Sequence, residues 1–97
     1  MDNTTPTAPA TTLTAPLVHL NGSGRTALVD QFAQAYAATV QALAAAMEAA
    51  PNARDYYLRP GTYEVAVREH TARVQRLTAV RDEFQQLADA VFEQGGR

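Results

Sequence analysis

From Arg25 to Ala50 the chain contains neither glycine nor proline, and Pro51-Asn52 follows at once. An uninterrupted stretch of that length, closed by a residue that lacks a backbone N–H, predicts a helix over about 25–50. Val29, Phe32, Tyr36, Val40, Leu43 and Met47 recur every three or four positions and form a helical seam. The rest of the stretch is unusual. Alanine fills 11 of the 25 positions from Thr26 to Ala50, and only Asp30 and Glu48 carry charge. High helix propensity is one reason for so much alanine. The second is packing: small side chains let neighbouring helices approach on more than one face. We read this helix as one enclosed by others.

Residues 51–61 hold two prolines and a glycine, so the helix cannot continue through them. The segment is longer than most helix–helix connections, and it carries two tyrosines, two arginines and a leucine. A second helix is expected from about 62 to 94, with Thr62 as its N-cap, Glu64 in its first turn and Gly95-Gly96 as its stop. Its seam is Val67, His70, Val74, Leu77, Phe84, Leu87 and Val91, interrupted by Arg81. Two long helices joined by a loop make an antiparallel hairpin. A hairpin has one internal seam, which rarely offsets an ordering cost of about 1.5 kcal/mol per residue. The expected fold is therefore all-α: an antiparallel two-helix hairpin with an extended N-terminal arm, assembling into a homo-oligomeric helical bundle.

The arm is residues 1–16, with six threonines and three prolines and almost no large apolar side chain. Alone, it cannot bury enough surface to offset its ordering entropy. The hairpin domain takes residues 17–97. It begins with an apolar run, Leu17-Val18-His19-Leu20, read as an extended segment lying on the helices. Asn21-Gly22-Ser23-Gly24 then turns the chain, with Ser23 as the preferred N-cap of the first helix and Gly24 as the alternative.

Charge and composition narrow the function. Eight arginines and no lysine stand against ten acids, for a net charge of −2, which argues against duplex DNA as a partner. The charge is unevenly spread: −2 over residues 1–53, +3 over 54–81 and −3 over 82–97. Without cysteine there is no disulfide, thiol nucleophile or cysteine-held zinc. No apolar run reaches the roughly 18 residues of a membrane span, and no signal peptide opens the chain, so the expectation is a soluble intracellular protein.

Two places attract a ligand reading. Gly22-Ser23-Gly24-Arg25-Thr26 resembles the end of a phosphate-binding P-loop, but His19 stands where that motif needs its first glycine, and the chain is too short for the sheet that carries it. What remains is either a simple helix cap or a cap that also binds an anion through Ser23, Gly24 and Arg25. The second place is Arg54-Asp55-Tyr56-Tyr57, continued by Arg59, Tyr63, Arg68, His70 and Arg73. Aromatic faces with guanidinium forks suit a base and a phosphate, although the same residues serve as protein interface. His70 on the apolar seam is as readily a core residue. With His19 it offers too few ligands at the wrong spacing for a metal site, and no cofactor is expected. Glu64 and Glu69 alternate with Arg68 and Arg73, as helical salt bridges do.

His19-Leu20-Asn21-Gly22-Ser23, Ala53-Arg54-Asp55-Tyr56-Tyr57 and Ala66-Val67-Arg68-Glu69-His70 together resemble small phage- and prophage-encoded helical proteins with an HLNG-(S/T) start and an RDYY loop. The resemblance covers residues 17–92 and carries no activity. It implies two settings. One, the leading expectation and the one the Arg/Tyr loop and the start of the first helix carry, is a non-enzymatic protein in the cytoplasm of a bacterial host that binds a nucleotide-like, phosphate-bearing ligand and so sequesters an immune signal. The other is a structural or assembly protein of a phage particle, with the arm and the Tyr/Arg loop as subunit interfaces. Partners are then the chain itself, a nucleotide, or a phage or host protein.

Overall fold

The structure, a computed structural model, describes residues 13–95. Among them are two α-helices, α1 (Arg25–Glu48) and α2 (Thr62–Gly95), with a short 3-10 turn at Ala53–Asp55 and no strand. The chain is an all-helical hairpin. No helix among the described residues is long and apolar enough to cross a membrane.

Each boundary has a local cause. Gly24, not Ser23, is the N-cap of α1: its backbone is extended (φ −70°, ψ 161°), and its carbonyl accepts the first helical bond from the Leu28 N–H at 3.0 Å. Ser23 lies one residue too early, and no side chain caps this end. The helix stops two residues short of the expected Ala50, because Pro51 disfavours helical geometry in the residue before it. The Ala49 N–H closes the last turn on the Ala45 and Ala46 carbonyls. At α2 the expected cap is also different. The Thr62 hydroxyl donates backward to the Arg59 carbonyl at 2.8 Å, so it fastens the loop and does not cap the helix. Gly61 beside it adopts φ 87°, a conformation that a side chain would strain.

The beginning of α1 lies beside the end of α2. The Arg25 guanidinium stacks 4.6 Å from the Phe92 ring centroid, and one turn-pair further on Phe32 packs against Phe84 at 6.5 Å. Along α1 the buried or half-buried residues beyond Arg25 are Leu28, Val29, Phe32, Ala35, Tyr36, Thr39, Leu43 and Ala46. The expected seam holds at Val29, Phe32, Tyr36 and Leu43 and is corrected at its other two positions. Val40 and Met47 are 39% and 59% exposed, while the small residues Ala35, Thr39 and Ala46 are half-buried in their stead. On α2 the expected seam residues are all buried or half-buried, Arg81 among them. Two seam threonines satisfy their own hydroxyls: Thr39 donates to the Ala35 carbonyl at 2.7 Å and Thr78 to the Val74 carbonyl at 2.9 Å. Even so, the buried core among the described residues is Leu43, Ala88 and Val91.

The segment before α1 is held at one point. The Gln94 side-chain amide accepts from the Val18 N–H at 2.8 Å and donates to the Pro16 carbonyl at 2.8 Å. One side chain thereby pairs with the arm as a neighbouring strand would. Val18 is half-buried there, but Leu17 and Leu20 point away, Leu20 being 97% exposed. The expected apolar contact of residues 17–20 is thus reduced to Val18. The His19 ring folds over Gly22, where a Cβ would sit 2.5 Å from Nε2, which explains the glycine in the turn. Residues 1–12, most of the expected arm, lie outside the described residues, as do 96–97.

Candidate functional site

The loop end of the hairpin is built by a chain of short-range bonds. Asn52 accepts the Arg54 N–H on its side-chain oxygen at 3.0 Å, and its carbonyl accepts the Asp55 N–H at 2.9 Å. That pair nucleates the 3-10 turn. The Tyr56 N–H returns to the Ala53 carbonyl, the Arg59 N–H to Tyr56 and the Thr62 N–H to Arg59. The Tyr56 ring packs on Tyr63 of α2, with centroids 6.1 Å apart and planes tilted by 50°. Tyr56 is therefore half-buried and anchors the loop, while Arg54, Tyr57, Leu58 and Arg59 stand exposed.

Asp55, Tyr56, Leu58, Arg59 and Thr62 line an open depression of about 330 Å³. It combines a carboxylate, a guanidinium and a phenol around an apolar Leu58. No ion pair joins Asp55 to Arg54 or Arg59 among the described residues, where the one ion pair is Arg81 with Asp82 at 2.9 Å. The expected Glu–Arg bridges of α2 are likewise not formed. Arg68 is exposed about two turns along α2.

The other proposed ligand residues are elsewhere. Ser23, Gly24 and Arg25 lie at the far end of α1, a helix of 24 residues and so about 36 Å long. One nucleotide cannot touch both groups. Arg25 is also engaged: its Nε donates to the Phe92 carbonyl at 3.1 Å while the guanidinium covers the ring. It satisfies one of the carbonyls left open at the end of α2, a role that suits a cation there. His70 sits half-buried on the hairpin seam. Its Nδ1 is 3.3 Å from the Arg73 guanidinium, and its Nε2 is buried with no hydrogen-bond partner among the described residues. His19 neighbours the Gln94 end, some 24 residues along α2 from His70, so the two histidines do not meet.

Sequence reasoning missed Leu58 and Thr62 as walls of the depression, and it missed Phe92 and Gln94 as the partners of Arg25 and the arm. Leu58, flanked by Tyr57 and Arg59 in a loop already marked as functional, carried some signal. Gln94 carried none, because a glutamine near a helix end is ordinary. Comparison with protein-family models, curated proteins and solved structures finds no match.

Proposed function

We propose that this chain is a non-enzymatic structural or assembly protein whose antiparallel hairpin becomes stable as part of a helical bundle made from copies of itself. One observation carries the reading. Among the described residues only Leu43, Ala88 and Val91 are buried, while Val40, Met47, Val65, Val80 and Leu58 remain exposed. A hairpin of this length with so small a core gains little from folding alone, and association supplies the missing burial. The end-to-end contacts of Arg25 with Phe92 and of Phe32 with Phe84 support the antiparallel arrangement. Of the two settings that the HLNGS, ARDYY and AVREH segments imply, we assign the phage particle, with Tyr57, Leu58 and the arm as subunit contacts. Sedimentation equilibrium tests the reading. A stable oligomer at micromolar concentration is expected; a folded monomer would overturn it.

A second reading rests on the depression at the loop end. Arg54 and Arg59, without ion-pair partners among the described residues, and the exposed Tyr57 share the loop and suit a phosphate-bearing nucleotide, here without Ser23, Gly24 or Arg25 and with Arg68 exposed on the adjoining turns of α2. It is the counter-defence alternative in a bacterial host. Calorimetric titration with linear and cyclic nucleotides separates the two. Tyr57→Ala should remove about 1–3 kcal/mol of stacking in this reading, whereas no binding tighter than about 100 μM leaves the loop as interface.

A further inference from the structure

The charges on α2 are sorted along its length. Its first part, to Arg81, carries Arg68, Arg73, Arg76 and Arg81 against Glu64 and Glu69. Its last part carries Asp82, Glu83, Asp89 and Glu93 with no basic residue up to Gly95. Arg76, Val80, Glu83 and Leu87 follow at spacings of four, three and four, so they share one stripe of the helix. Arg76, Val80 and Glu83 are exposed and lie outside the hairpin seam, which the stripe meets at the half-buried Leu87. Neither Arg76 nor Glu83 has an ion-pair partner among the described residues. Val80, 40% exposed, sits between them.

We propose that this stripe of α2 is a contact with a second copy of the chain, in which the two α2 helices run antiparallel about a two-fold axis at Val80. The proposal rests on the self-association reading above and names its geometry. The charges choose the direction. A parallel pair would lay the basic part of one helix on the basic part of the other, and the acidic part on the acidic part. An antiparallel pair lays basic on acidic twice. The register follows from the stripe itself. Arg76 lies four residues before Val80 and Glu83 three residues after it, so a two-fold axis at Val80 sets Arg76 of each copy beside Glu83 of the other. Val80 meets Val80, and the stem of Arg73 covers Leu87. Such an isologous contact uses the same residues twice, so every substitution acts twice.

The test is charge reversal in the full-length protein, read by sedimentation equilibrium at low and high salt. Both residues are exposed, and circular dichroism should show unchanged helix content. Arg76→Glu alone sets two acids against two acids, and Glu83→Arg alone sets two arginines against two arginines. Each should weaken self-association by about tenfold or more at low salt, and salt should shrink the loss. Mixing the two single variants should restore association to near the wild-type level, because each interface pair is then opposite in sign. The double variant R76E/E83R should associate with itself for the same reason. Wild-type self-association that neither reversal alters, or reversals that mixing does not rescue, would overturn this pairing and leave the assembly reading standing. A wild type that stays monomeric to about 100 μM would overturn both.

Discussion

Arg25 shows how one side chain can have a local appearance and a distant job. Beside a glycine-rich turn, at the start of a helix, it looks like half of an anion site. In the fold it spans from α1 to the last turn of α2, giving a hydrogen bond to the Phe92 carbonyl and a cation face to the Phe92 ring. Arg25→Ala should lower stability by about 0.5–1 kcal/mol through the lost ring contact alone. Arg25→Lys should recover only part of it, since an ammonium cannot both stack flat and reach the carbonyl. Thermal unfolding of the three proteins at one concentration checks this. Gly61 offers a second residue-scale test. At φ 87° a Cβ is strained, although nothing lies within 4 Å of where it would sit. Gly61→Ala should therefore cost about 1–2 kcal/mol from backbone conformation, with no steric contribution; denaturant titration reads the loss.

At the scale of the helices, Leu43 is the large buried residue that α1 contributes. Leu43→Ala should cost about 2–5 kcal/mol, while Met47→Ala, on the exposed side, should cost far less in the isolated hairpin. Chemical denaturation of both variants tests which side of α1 faces inward. Here the limits of sequence reading are physical. Breakers mark both helices plainly, because proline and glycine act on their own neighbours. The seam of α2 is equally plain, because large apolar residues alternate there with charges. On α1 the pattern is less plain: Ala35, Thr39 and Ala46 are half-buried along with its large apolar residues, and a small residue gives little sign of whether it is buried or exposed. The loop was legible as a cluster of Arg and Tyr. Its division into a half-buried anchor, Tyr56, and an exposed face, Tyr57 and Leu58, depended on Tyr63 lying beneath one ring and not the other.

For the whole molecule, association should make stability depend on concentration. The thermal midpoint should rise with protein concentration across the micromolar range, as mass action requires of an oligomer that unfolds to free chains. Val40→Asp sharpens the test. In a lone hairpin this partly exposed position should tolerate the change within about 0.5 kcal/mol. In a bundle the same carboxylate enters an apolar contact and should dissociate the assembly, which native mass spectrometry would show as a shift to smaller species.

The tie between Gln94 and the arm has a consequence in time. The contacts of the hairpin grow more distant in sequence with each turn away from the loop, to 67 residues at Arg25 and Phe92 and 76 at Val18 and Gln94. Closing a short loop costs less entropy than closing a long one, so the favoured route starts where Tyr56 meets Tyr63 and zips outward. The clasp on Val18 then forms last and opens first. Its two ends can part while the helices remain paired, so the amide of Val18 should exchange its hydrogen well before those of Leu43 or Val91. A segment that engages last remains free, until the final step of folding, to be captured by whatever neighbour arrives first.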